Sequence, residues 1–174
     1  MRNKKHTARL IKISLFTALM CVSAMIYIPL AVPVTLQTLV LFLSFFILGG
    51  KGSAVSVFLY VSIGALGLPV FSGFTGGVSR LFDMTGGYII GMLAASLVYL
   101  ALEGRGERVG RRQLAAAILS QLILYTVGTL WYALVYADRG SVGAILLVCV
   151  VPFVIPDLIK LVLAFSIAKR IPRQ

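Results

Sequence analysis

Acidic side chains are almost missing from this chain. Asp and Glu together number 5 among 174 residues, against 16 Lys and Arg. Charged residues of both signs reach 12%, where a soluble domain carries about 25%. Apolar residues make up 60%, and the mean hydropathy is +1.03. So little polar surface cannot cover so much apolar side chain in water. The composition therefore describes an integral membrane protein, and the length of its apolar runs makes it all-α. The one histidine, His6, lies in a basic stretch near the start, which excludes a Ser-His-Asp triad in the apolar body and any H-E-x-x-H metal site. The two cysteines, Cys21 and Cys149, sit singly inside apolar runs, with no C-x-x-C and no metal-ligand spacing. They read as small buried residues. No G-x-x-x-x-G-K-[ST] occurs, since Gly49-Gly50-Lys51-Gly52-Ser53 has the wrong order. ATP is not bound here by a P-loop. No repeat relates the two halves, which argues against an inverted-repeat secondary transporter. The net charge of +11 has no folded polar face to gather on, so no nucleic-acid partner is expected.

What the sequence does have is a series of apolar runs. A span needs roughly 20 apolar residues, fewer inside a bundle. Six spans are expected, over 13–31, 36–49, 53–69, 86–102, 114–136 and 156–169. The last is cut from a longer apolar region, 141–168, by Pro152 and Pro156. A proline inside a helix removes a hydrogen bond and crowds the preceding turn. The expectation is an interfacial or re-entrant helix over 141–151, a break at 152–155, and then the final span. The start resembles a signal peptide, with a basic region, an apolar run and the small-residue ending Val22-Ser23-Ala24. Five further apolar segments follow, so an uncleaved first span is expected. All but three of the 16 Lys and Arg (Arg80, Arg139 and Lys160) fall on one side of this arrangement. By the positive-inside rule that side is cytoplasmic and holds both termini. The chain then reads as one membrane domain over 1–174, with a basic cytoplasmic tail at 1–12 and a cytoplasmic loop at 103–112.

Charge inside an apolar run is costly, roughly 2.5–3.5 kcal/mol per residue on insertion scales. Asp157 and Lys160 stand at the head of the final span, three apart and so on one helical face. Two readings stand: an ion pair that locks helix packing, or a polar ligand site under the outer surface. Thr35, Gln37 and Thr38 open the second span on the same level. Gln37 can both donate and accept there, to a ligand or to another helix. Segment 70–85, VFSGFTGGVSRLFDMT, is the one long outer connection. It mixes Gly and Ser with Phe71, Phe74 and Phe82, which suits a folded cap over a cavity or an interfacial loop with aromatics at headgroup level. Gly87, Gly91 and Ala95 repeat at four-residue spacing, a close-packing face for this protein's own helices. Ser14 and Ala18 form a similar face on the first span.

Four stretches, in order, carry a resemblance: VPVTLQTLVLFLSFFILGGKGS at 32–53, GALGLPVFSGFTGG at 64–77, TGGYIIG at 85–91 and PDLIK at 156–160. Together they resemble the BioY family, the substrate-binding (S) subunits of biotin transporters of the energy-coupling factor class. The likeness runs from about residue 10 to 170. It implies six helices and capture of biotin from the extracellular side, in the cell membrane of a prokaryote. The implied partners are the lipid bilayer, a transmembrane coupling subunit and two ABC-type ATPase subunits, which supply the energy. No enzymatic activity and no cofactor besides the ligand biotin are implied. Asp157 and Lys160 match the family's binding-site pair, and 70–85 matches its loop over the ligand. The expected site is Asp157, Lys160, Gln37 and Thr35, with Phe71, Gly73, Phe74, Arg80 and Tyr88 from the loop and fourth span. Asp157 is expected to accept the ureido N–H groups and Lys160 to meet the ureido carbonyl. The family's docking face on the first helix is Ala-x-x-x-Ala, and Ser14 and Ala18 stand nearest to it. Two pieces depart from the family. Ile155-Pro156-Asp157 stands for Pro-Gly-Asp, and Asp83-Met84 precedes Thr85-Gly86-Gly87-Tyr88 where Gly-Pro is usual. An S subunit for another vitamin, a membrane-embedded enzyme using the Asp–Lys pair, and a structural subunit or channel are the alternatives.

Overall fold

Residues 2–24 contain neither proline nor glycine, and one helix, α1 (Arg2–Ala24), runs through all of them. The computed structural model describes residues 2–30, 32–104, 109–135 and 142–171. Arg105, Arg108, Arg139 and Arg173, which enter the orientation argument, lie outside those residues, as does Ser141. The basic segment at the start is helical and continuous with the apolar part of α1, since Lys, Arg, Leu and Ala are good helix formers. The helix ends at Ala24 rather than at 31 because Pro29 and Pro33 follow. The residue before a proline is pushed toward extended backbone. Ile28 lies in a two-residue strand β1 (Tyr27–Ile28), paired antiparallel with β2 (Val34–Thr35), Tyr27 opposite Thr35.

Helix α2 (Gln37–Ala65) holds both the second and the third expected span. Its backbone breaks at Gly49, with φ 72° and ψ 173°. Ser44 Oγ and Ser53 Oγ lie 2.6 Å apart. Nine residues along a continuous helix rise about 13.5 Å, so α2 folds back on itself at Gly49. The first arm is 37–48 and the second 50–65. The Gly50 N–H at the head of the second arm donates to Glu103 Oε1 at 2.9 Å. A carboxylate is favoured at a helix N-terminus, where N–H groups lack partners. A Cβ on Gly50 would overlap the Leu100 backbone. Gly50→Ala is therefore expected to lower stability by about 1–3 kcal/mol, read as a lower melting temperature in detergent.

Helix α3 (Gly86–Leu102) keeps the bounds expected for the fourth span. It packs along α4 (Arg111–Val135). Gly87 lies under Trp131 and Gly91 against the Leu124 backbone, with Ala95 fully buried. The small-residue face thus serves this bundle. Phe45 of α2 and Tyr99 of α3 stack with ring centroids 4.3 Å apart in the core.

The apolar region after 141 divides into α5 (Val142–Cys149) and α6 (Val151–Arg170). The break falls at Val150, not at 152–155. Pro152 sits in the first turn of α6, where its missing N–H has no helical partner to lose. Pro156 follows in the next turn and leaves one carbonyl without its usual bond.

Among the described residues, four segments are long and apolar enough to cross a membrane: His6–Ala24, Gln37–Ala65, Arg111–Val135 and Gly143–Arg170. Gly86–Leu102 is a shorter apolar helix. Leu158, Ile159, Val162 and Leu163 of α6 point outward. Large outward apolar faces on successive helices suit hydrocarbon rather than water. The protein is a multi-pass membrane protein. At one end of the bundle, β1–β2, segment 70–85, the top of α4 and the α5–α6 break come together around a cavity.

Candidate functional site

Asp157 lies in the second turn of α6 and is nearly fully buried, its side chain 4% exposed. Lys160 follows on the same face, with Nζ 2.8 Å from Asp157 Oδ1. The same oxygen accepts a hydrogen bond from Thr38 Oγ1 at 2.7 Å. The other oxygen, Oδ2, accepts from Gln121 Nε2 at 2.9 Å and from the Tyr125 hydroxyl at 2.7 Å. Lys160 Nζ also donates to the Thr35 carbonyl at 2.7 Å and to Thr38 Oγ1 at 2.9 Å. A buried ion pair is sustained only when its remaining hydrogen-bonding positions are met. Here three elements meet them: α6, α4 and the β2–α2 junction.

This cluster forms the polar pole of a cavity of about 310 Å³. Pockets for small organic ligands begin near 300 Å³ and are mostly apolar, with few polar groups. Tyr60, Ile89, Met92 and Phe153 line the apolar side. Segment 70–85 covers another side. Phe71 is 2% exposed and meets the Tyr60 ring edge-on at 5.5 Å. Arg80 lies near the mouth, on a short 3-10 turn (Val78–Leu81), and pairs with Asp83 at 2.6 Å. With side chains 41% and 33% exposed, that pair adds little stability of its own. The Trp131 indole donates to the Asp83 carbonyl at 3.0 Å and ties the segment to α4. Tyr88 also lines the cavity, but its hydroxyl donates to the Cys149 carbonyl at 2.8 Å, at the end of α5.

Of the residues expected from sequence, the structure brings Asp157, Lys160, Gln37, Thr35, Phe71, Arg80 and Tyr88 to one cavity. It leaves out Gly73 and Phe74. Phe71 and Thr75 pair backbone to backbone in a tight turn, with φ 77° at Gly73 and 57° at Phe74. That turn sends the Phe74 ring outward, where it is 64% exposed. Phe82 is equally outward and rests near Trp131. Of the three phenylalanines of the segment, Phe71 thus turns inward and Phe74 and Phe82 turn outward. Ser14 and Ala18 lie on the outer face of α1, away from its buried contact with α2 through Phe16, Thr17 and Met20.

The amino-acid sequence matches the BioY family over residues 1–174. The chain belongs to the BioY family. It is 41% identical over 169 residues to the biotin transporter BioY of Thermotoga maritima, covering 95% of this chain and 96% of that one. It is 34% identical over 160 residues to a probable biotin transporter BioY of Pyrococcus horikoshii, covering 91% and 93%. In fold it is similar to the crystal structure of the S-component for biotin from an ECF-type ABC transporter. The TM-score is 0.83 at 23% identity, over 98% of this chain and 93% of that one.

Among the residues at this cavity of the BioY-family chain that the sequence does not single out are three polar ones, Gln121, Tyr125 and Ser72. Gln121 and Tyr125 stand four apart in α4, so they share one helical face. A polar pair inside an apolar run was the available signal, but its partner lies 36 residues away for Gln121 and on another helix. Ser72, inside segment 70–85, is the third.

Proposed function

We propose that this protein captures biotin as the S subunit of an energy-coupling-factor importer. The observation that carries the reading is the 310 Å³ cavity, with the Asp157–Lys160 cluster at one pole, inside a chain of the BioY family. Biotin has a polar ureido ring, an apolar thioether ring and chain, and a carboxylate. The cavity offers a buried polar pole, an apolar wall and, near its mouth, the Arg80 guanidinium. The ureido ring belongs at the Asp157–Lys160 pole and the carboxylate toward Arg80. Phe71 and Tyr88 pack on the apolar part.

Counting the two arms of α2 separately, and α5–α6 as one interrupted crossing, gives six crossings with both termini cytoplasmic. Segment 70–85 then faces the outside of a prokaryotic cell membrane. The exposed Ser14 and Ala18 face of α1 is the docking surface for a transmembrane coupling subunit. Two ABC-type ATPase subunits hydrolyse the ATP that this chain has no P-loop to bind.

Equilibrium binding to the purified protein in detergent tests the reading, with thiamine and riboflavin as controls. The expected result is submicromolar, saturable binding of biotin alone. Binding of another vitamin in its place would move the assignment to that vitamin. Folded protein that binds none of the three would leave the Asp157–Lys160 pair as a structural bridge.

A further inference from the structure

A loop in water turns its polar side chains outward and its apolar ones inward. Segment 70–85 does the reverse. Ser72, Thr75, Arg80, Asp83 and Thr85 line the cavity. Of the four exposed side chains in the segment, three are apolar: Phe74 at 64%, Val78 at 55% and Phe82 at 65%. Ser79 is the fourth. The backbone accepts strain to keep one of these rings outside. Among the described residues, Phe74, with φ 57°, is the one non-glycine residue in the left-handed region. Glycine or asparagine would hold such a turn at less cost, and a turn facing water gains nothing from a ring there.

The surroundings of these side chains say what covers them. The Phe82 ring stands 6.5 Å from the Trp131 ring of α4. Leu130 and Leu134, beside Trp131 and four apart, are exposed on one face of the same helix. Near the turn at Phe74, the Tyr27 hydroxyl lies beside Gly73, where an added Cβ would be 3.8 Å from it. Trp and Tyr concentrate where hydrocarbon meets lipid headgroups. The outward rings of the segment therefore continue the lipid-facing surface of the bundle, at the level of Trp131 and Tyr27. We propose that the outer surface of segment 70–85 is a membrane-contact surface, with Phe74 and Phe82 seated in the interfacial layer of the outer leaflet. The leaflet is the one that the orientation proposed above makes external, while the contact itself is independent of that orientation. Lipid then holds the cover from one side and the buried Phe71 holds it from the other.

Tryptophan fluorescence in vesicles reads the contact, because Trp131 is the single tryptophan of the chain. The full chain carrying Trp131→Phe and Phe74→Trp is reconstituted in phosphatidylcholine whose acyl chains bear bromine near the headgroup or near the chain end. Emission from the new tryptophan should be blue-shifted, and lost to the shallow bromine more than to the deep one. Iodide on both sides of the membrane should quench little of it. Phe82→Trp in the same background should behave alike. Should Trp131→Phe disturb folding, Phe74→Trp with Trp131 kept gives the same reading as emission added to that of the wild type. Emission that iodide quenches and neither bromine reaches places the ring in water and overturns the proposal. Emission shielded from iodide and from both bromines means that protein, such as a second copy of this chain, covers the ring, and overturns it as well. Loss mainly to the deep bromine overturns the interfacial seat.

Discussion

Lys160→Met is expected to be the most damaging single change at the cavity. It leaves Asp157 buried, charged and without its cation, and it strips a donor from Thr38 and from the Thr35 carbonyl. Removing one partner of a buried pair typically costs about 3–5 kcal/mol, more than the pair itself contributes. The melting temperature of the empty protein should fall accordingly, and biotin affinity should drop at least roughly tenfold, because the polar end of the cavity loses the cation that orders Asp157, Thr38 and Thr35. The second step separates charge from shape. In Asp157→Asn with Lys160→Met the buried charge is gone, and Thr38, Gln121 and Tyr125 still have an amide to meet. The double variant should recover much of the lost melting temperature without recovering biotin binding. Melting curves and binding isotherms on the four proteins of this cycle measure it. A Lys160→Met protein with wild-type melting and wild-type affinity would reject the pair as the pole of the site.

Asp157 and Lys160 were legible because ions inside an apolar run are costly and need a reason, and their spacing put them on one face. Their saturation was not legible. It depends on Gln121 and Tyr125, uncharged residues of a helix whose neighbours only the tertiary fold decides. The fold shows the same division. Gly49-Gly50 ended a run, and the chain does reverse there. Pro152 and Pro156 read as breakers in the sequence, but Pro152 fits the first turn of α6 and Pro156 is accommodated inside it, so the break falls ahead of both. In segment 70–85 the alternation of Phe and Gly pointed to a folded cover but not to which ring turns inward. The left-handed backbone at Gly73 and Phe74 settles that, burying Phe71 and expelling Phe74. No pattern of residue types fixes such a turn when a phenylalanine occupies one of its positions.

Gly64→Val should turn the cover into a loose flap. Gly64 lies in the second arm of α2, and the Phe71 ring sits directly over it, where an added Cβ would overlap the ring. The Gly64 carbonyl also accepts the N–H of Gly77 at 2.7 Å and that of Gly67 at 3.1 Å. One residue therefore seats the turn before the segment and two points within it. Valine is no worse than glycine in a helix interior, so the helix itself should persist. The strain falls on the Phe71 ring, which also meets Tyr60 edge-on and must shift from that contact toward the cavity it lines. With Phe71 displaced, the cavity loses an apolar wall and the segment loses its anchor. Biotin should then leave at least about tenfold faster while its association rate changes little, because losses at a preformed site appear mainly in dissociation. Phe71→Ala added to Gly64→Val makes the missing room. The two changes should therefore combine to much less than the sum of their separate effects, as contacting residues do. Dissociation of labelled biotin, chased with unlabelled ligand, reads each rate. Simple additivity would mean that Gly64 and Phe71 act apart.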